Sequence, residues 1–211
     1  MTYPIHLNLQ GRRCVVVGGG RVAERKVAGL RDCGADVCLV APDATEKLRA
    51  WAESGTLHWR QSVYQEGCLD GAFLVVAATD SRDVNGQITQ DAHGRNLLVC
   101  CVDDPGAGNW TSLSVVNRGD LTVTVSTGGK SPTLAAVLRE QLGEQFGPEW
   151  AGLTELIGGL RASLQAIQSE AARKDAVRTM IEDKNLRTFI QNGQLLEAEA
   201  RARQCLSSYS E

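Results

Sequence analysis

Six residues near the start of the chain carry the most explicit chemistry. Gly18-Gly19-Gly20-Arg21-Val22-Ala23 follows the apolar run Cys14-Val15-Val16-Val17 and opens a helix-prone stretch, the G-x-G-x-x-A form of a dinucleotide-binding strand–turn–helix. Gly18 permits the sharp turn, Gly20 lets backbone approach a pyrophosphate, and Ala23 lets the helix pack tightly on the strand. The backbone at Gly18, Gly19, Gly20, Arg21 and Val22 is therefore the candidate phosphate cradle, at the positive end of a helix. A glycine-rich turn alone could be only a tight turn, but the apolar strand before it and a second one, Val37–Val40, one helix later favour a cofactor. Asp43 lies 20 residues past Ala23, about where a ribose-binding acid belongs. Pro42 interrupts the strand before it, so backbone contacts at Pro42 and Asp43 are as good an expectation as a side-chain hydrogen bond. No arginine stands beside Asp43 in the sequence to receive a 2′-phosphate, which favours NAD over NADP.

Further acids end later strands. Phe73–Ala78 is an apolar run closed by Thr79-Asp80, and Leu97–Val102 is closed by Asp103. In open α/β sheets the carboxyl ends of the strands form the ligand crevice. Ala78 and Thr79 thus join the cofactor candidates, against the plain alternative of a strand end that caps the next helix. Asp103 reads either as a general base or as part of a turn, since Asp104-Pro105-Gly106 is turn chemistry.

The elements that must position these residues alternate. Strands are expected at Arg13–Val17, Val37–Val40, Thr56–Trp59, Phe73–Ala78 and Leu97–Val102. Helices are expected at Arg21–Asp32, from Asp43 to Ser54 with Asp43 near the cap, and at Arg82–His93. Such alternation implies a parallel, Rossmann-type α/β sheet. The pattern then changes to a hairpin, Ser112–Val116 and Leu121–Ser126 around Asn117–Asp120. Ser131 and Pro132 next read as the cap and first residue of a helix Pro132–Gly143. Helices at 150–170, 171–183 and 195–205 complete the chain. We expect an NAD-binding domain at 1–111, a dimerisation hairpin and helix at 112–146, and a C-terminal helical module at 147–211. The hairpin's edges and the stripe Leu134, Val137, Leu138 and Leu142 call for a partner surface, hence a homodimer.

Composition narrows the partners. A net charge of −3 gives no global basic surface for nucleic acid. No apolar run is long enough to cross a membrane, and the start Met1–His6 has no secretory character. The seven cysteines fit no C-x-x-C spacing and sit mostly in apolar strands, as reduced core residues of a cytoplasmic protein. Of the three histidines, His6 and His58 read as surface or strand residues and His93 as a cap at a helix end. No permanent metal site is expected.

Five motifs occur in order: Gly-Gly-Gly-x-Val-Ala-x-Arg-Lys at 18–26, Val40-Ala41-Pro42, Ala77-Ala78-Thr79-Asp80 with Asn85, Val102-Asp103-x-Pro105, and Ser126-Thr127-Gly128-Gly129-x-Ser131-Pro132. Together they resemble the precorrin-2 dehydrogenase/sirohydrochlorin ferrochelatase family, the N-terminal module of siroheme synthases, well over residues 1–145 and by position alone beyond. The resemblance implies NAD-dependent oxidation of precorrin-2 to sirohydrochlorin and, in bifunctional members, insertion of Fe²⁺ as a substrate. It makes Asp103 the catalytic base and implies a two-fold dimer. It points to Asn109, Thr127, Gly128 and Lys130 as substrate contacts, Thr127 standing where the family often has serine, a residue that could bind substrate or accept a phosphate. An aromatic-x-x-Pro segment expected after the catalytic loop is replaced by Trp110-Thr111-Ser112-Leu113. A chain ending at Glu211 is expected to lack the methyltransferase domain of larger homologues. Two alternatives stay open: an NAD-sensing regulatory domain without turnover, and a related dehydrogenase with another substrate.

Overall fold

The computed structural model describes residues 2–209; Met1, Ser210 and Glu211, at the ends of the segments expected at 1–111 and 147–211, lie outside the described residues. The chain forms two compact units, the first ending at Ser112 and the second starting at Leu113.

The first unit is a five-stranded sheet in the order β3-β2-β1-β4-β5, with every pair parallel. Its strands are β1 (Arg13–Val17), β2 (Asp36–Val40), β3 (His58–Arg60), β4 (Leu74–Ala77) and β5 (Leu98–Cys101). Strands β1, β2, β4 and β5 read as nearly unbroken apolar runs because both faces are covered, whereas the edge strand β3 exposes His58 and Arg60. Cys14, Val16, Leu39, Leu74 and Val76 share one core cluster with Ala23, Val27 and Leu30 of α1 (Arg21–Asp32) and Leu48 of α2 (Glu46–Glu53). The alternate residues Val15, Val17, Cys38, Val40, Val75 and Ala77 face the other cluster, with Ile88 and Ala92 of α3 (Arg82–Gly94). A short 3-10 turn at Glu66–Leu69, unforeseen in the sequence, supplies Cys68 and Leu69 to that second face.

Two expectations here need correction. The helix expected to open at Asp43 starts at Glu46: Thr45 is the cap, its hydroxyl accepting from Leu48 N, and Asp43 lies two residues before it. His93 caps no carbonyl of its own helix end. It sits inside α3, with Nε2 2.8 Å from the carbonyl oxygen of Ala107.

The second unit begins with the antiparallel hairpin β6 (Ser114–Arg118) and β7 (Leu121–Val125). The turn is tighter than expected, because Asn117 and Arg118 belong to the ladder and only Gly119 and Asp120 turn. Gly119 adopts φ +58°, a conformation that glycine reaches without strain. Ser131 caps α4 (Pro132–Gln145) by accepting from Leu134 N at 3.1 Å. Arg118 closes the other end of α4 by donating to the carbonyls of Gly143 and Phe146, groups a helix end leaves without partners.

The later helices pack around Leu153, Leu160, Met180, Leu186, Ala202 and Leu206. The single helix expected over 150–170 is two, α5 (Glu149–Gly159) and α6 (Arg161–Ala166), broken after the flexible pair Gly158-Gly159. Beyond α7 (Glu170–Glu182) lies a helix the sequence reading lacked, α8 (Lys184–Gln191), before α9 (Leu195–Ser207). Asp183 makes that break. Its carboxylate accepts from Leu186 N at 2.9 Å and from Arg201 at 2.8 Å, with the side chain only 9% exposed. Burial pushes this carboxyl's pKa up, but those donors outweigh it and hold the pKa below its ordinary value.

Candidate cofactor and active site

The sheet order places β1 beside β4, so the chain leaves these neighbours in opposite directions and opens a crevice at their carboxyl ends. The glycine turn fills that position. Gly18 N donates to Val40 O at 2.9 Å, and the residue adopts φ +120°. A Cβ on Gly18 would collide with the Ala78 carbonyl, and one on Gly19 with the Asp43 carbonyl. Thr45 N also donates to Gly19 O at 3.0 Å, tying the turn to the β2–α2 connection. Gly20 differs. A Cβ there would meet nothing within 4 Å, because this residue faces open space at the start of α1, where no side chain caps the helix.

That space is a groove of about 790 Å³. All nine cofactor candidates line it: Gly18, Gly19, Gly20, Arg21, Val22, Pro42, Asp43, Ala78 and Thr79. Ser62, Val63 and Tyr64 also line it; no motif marks them, since they sit in an irregular connection after β3. Tyr64 is anchored by donating its hydroxyl to Asp91 at 2.7 Å. Burial, then this hydrogen bond, raises the phenol's pKa, so Tyr64 stays neutral.

The arginine thought absent near Asp43 is present. Arg49, in α2, pairs with the Asp43 carboxylate. Six residues separate the two, but the extended entry to α2 lets the helix bring residue 49 back to the loop. Hydrogen bonds from Ala44 N and then Arg49 hold the Asp43 carboxyl below its ordinary pKa. The argument for NAD from a missing arginine therefore falls.

Asp103 lies just past β5. Its Oδ1 accepts from Asn85 Nδ2 at 2.9 Å and from the Cys101 thiol at 3.1 Å. Partial burial pushes its pKa up. Hydrogen bonds from Cys101, its own backbone N–H and Asn85, together with the charge of Arg82, outweigh that and leave the carboxyl below its ordinary value. At neutral pH it is an anion able to accept a proton.

Asn109, expected at substrate, is used by the sheet. Its Oδ1 accepts from Val99 N at 2.8 Å, its Nδ2 donates to Leu97 O at 3.0 Å, and its own N–H donates to Val99 O at 3.0 Å. Gly108 allows this approach, because a Cβ there would lie 2.7 Å from Val99 O. Thr127, Gly128 and Lys130 belong to the second unit. The Thr127 hydroxyl accepts from Ser131 N at 3.2 Å and lies 3.1 Å from Ser131 O. Gly128 and Gly129 adopt φ +61° and +80°, and Lys130 is exposed.

Residues 5–114 match a family model described as putative NAD(P)-binding, and residues 118–145 match one described as sirohaem biosynthesis protein, central. The chain belongs to this putative NAD(P)-binding family. The siroheme synthase of Xylella fastidiosa (strain M12) is 39% identical over 165 residues, 78% of this chain and 35% of that protein. The siroheme synthase of Photorhabdus laumondii subsp. laumondii is 32% identical over 203 residues, 96% of this chain and 43% of its own length. The chain thus spans well under half of these curated relatives. A solved structure described as SirC, precorrin-2 dehydrogenase, superposes with a TM-score of 0.74 at 26% identity, covering 99% of this chain and all of that one.

The first unit and the NAD(P)-binding match nearly coincide. The sirohaem-specific match covers the turn and second strand of the hairpin, the Thr127–Ser131 loop and α4. The groove also fits a dinucleotide on its own geometry: two glycines packed against backbone, a third open to the groove, and a helix start without a side-chain cap. Among the described residues no group of three or more His, Cys, Asp or Glu is arranged to hold a metal ion, and no helix is long and apolar enough to cross a membrane.

Proposed function

We propose that this protein oxidises precorrin-2 to sirohydrochlorin with NAD⁺ in siroheme biosynthesis, and that Asp103 is its proton acceptor. The observation that carries this reading is the placement of an ionised carboxylate at the end of β5, with Asn85 joining it to Thr79 in the wall of the dinucleotide groove. The names of the sequence relatives and of the structural neighbour supply the substrate class.

Oxidation removes one hydride and one proton from the tetrapyrrole. NAD⁺, when bound, supplies the hydride acceptor. Gly18–Val22 and the start of α1 hold its phosphates, and Pro42, Asp43, Ala78 and Thr79 form the remaining walls. Asp103 takes the proton and returns it to water. The same carboxylate serves Fe²⁺ insertion, where pyrrole nitrogens release protons as the metal substrate enters. The Thr127–Lys130 segment, with Gly128 and Gly129 at its centre, suits the substrate's carboxylates, through backbone N–H groups and the Lys130 ammonium. The reading includes a homodimer built on residues 112–146, supported by the exposure of Val115, Leu134 and Val137 at 40%, 49% and 45%. It also includes a cytoplasmic site of action, consistent with seven free cysteines.

Purified protein mixed with NAD⁺ and precorrin-2 should form NADH, followed by absorbance. Absence of NADH overturns the reading and favours a cofactor-sensing role. Asp103→Asn should lower the oxidation rate by roughly 10²–10⁴-fold. Chelation, assayed separately with sirohydrochlorin and Fe²⁺, should fall with it. A wild-type protein that oxidises but does not chelate is a dehydrogenase served by a separate chelatase.

A further inference from the structure

We propose that Asn85 is a positioning residue, locking the Asp103 carboxylate to the end of β4 so that the proton acceptor and the groove wall at Thr79 keep one fixed geometry. The inference rests on the role given above to Asp103. Among the described residues Asn85 and Thr89 are the buried polar side chains, Asn85 at 1% exposure, and such a group is retained in a core only when its hydrogen bonds are made. All of them are made here, and to two different strand ends. Oδ1 accepts from Thr79 N at 3.0 Å and lies 2.8 Å from Thr79 Oγ1. Nδ2 donates to Thr79 O at 3.1 Å and to Asp103 Oδ1 at 2.9 Å. The backbone of Asn85 is fixed as well: its N–H donates to Ser81 O at 3.0 Å, and its carbonyl accepts from Thr89 Oγ1 at 2.8 Å.

A helix cap or strand-end clip would need only the Thr79 half of this arrangement. The Asp103 half does something else. The terminal torsion of a carboxylate is broad and nearly two-fold. Donation from both Asn85 and Cys101 to the same oxygen removes that freedom and distinguishes the two oxygens. It also favours the charged form. The other groups around Asp103 are Arg82, at the start of α3, and Asp104, which Arg82 faces at 3.9 Å; neither touches Oδ1.

The test compares the full chain with Asn85→Ala. The Asp103 carboxyl carbon, assigned in ¹³C NMR by its loss in Asp103→Asn, should titrate at higher pH in Asn85→Ala than in wild type. The acid limb of NADH formation from precorrin-2 should shift the same way, with kcat reduced roughly tenfold or more as orientation is lost. Should Asn85→Ala not fold, Asn85→Asp keeps the acceptor toward Thr79, removes the donor toward Asp103 and should raise the titration further. An unchanged Asp103 titration in a folded variant overturns the proposal. If wild type makes no NADH, the functional reading fails, and the NMR titration still decides what Asn85 does.

Discussion

The two units solve the same burial problem to different degrees. In the first, β1, β2, β4 and β5 have both faces covered, only the edge strand β3 exposing His58 and Arg60, and the residues that bear chemistry sit on short connections at one rim. In the second, β7 alternates half-buried and exposed residues, and Val115, Leu134 and Val137 stay open to solvent. A fully covered sheet is a rigid platform, so its loops can be specified to a fraction of an ångström by backbone contacts such as those of Gly18 and Gly19. A hairpin with an open apolar face is specified only when something covers it, and a second copy of the same surface is the commonest solution. One unit carries its precision internally, whereas the other leaves apolar side chains open to solvent.

The largest effect should come from the turn that the platform supports. Gly18→Ala places a Cβ against the Ala78 carbonyl at φ +120° and should cost on the order of 3 kcal/mol or more, read as a collapse of thermal stability. Gly20→Val, two residues away but facing open space, should leave the unfolding temperature close to wild type. It should still weaken NAD⁺ binding by roughly tenfold or more, about 1.4 kcal/mol, measured by titration calorimetry. Equal loss of stability in both variants would erase the distinction between packing and ligand-facing glycines.

On the other side of the comparison, Val137→Asp should convert a dimer into a species sedimenting at the 22.7 kDa of one chain, with NAD⁺ affinity unchanged. A wild-type protein that sediments as a monomer even at high concentration removes the dimer altogether. Within the helices, Asp183→Asn should cost about 1–3 kcal/mol at neutral pH, by denaturant unfolding. Because the folded-state pKa of Asp183 is depressed, its contribution is present above the ordinary carboxyl range and is lost as pH falls through the folded-state value. The two stability curves should therefore converge in acid. The smallest effect is expected of Asp43→Ala, which frees Arg49 from its ion pair. NADP⁺ binding should strengthen severalfold relative to NAD⁺, since the guanidinium becomes available to a 2′-phosphate. An unchanged ratio would show that Arg49 does not reach the cofactor.

The first unit was legible because its signals are local: apolar runs, punctuating glycines, and acids at strand ends. The sequence placed Gly18–Val22, Thr79 and Asp103 at one rim from strand order alone. What it missed depends on three-dimensional return. Arg49 reaches Asp43 only through the path of α2, and Asn109 reads as a loop polar residue until its amide is seen against β5. In the helical region, α8 was missed because no glycine or proline marks the break between α7 and α8, although Gly193 follows α8. Asp183 alone ends one helix and caps the next, and its pairing with Arg201 lies 18 residues away.

The Asn109 contact has a consequence for the protein's behaviour in a crowded solution. β5 is an outer strand of the sheet, and a bare outer strand is a template onto which another chain can zip. Asn109 acts as a single rung of counterfeit strand, occupying the outward N–H and C=O of Val99 and the C=O of Leu97, and Gly108 lets it press that close. Resistance to such pairing is therefore expected to depend on this loop after Asp103, and enlarging residue 108 should show itself first as turbidity.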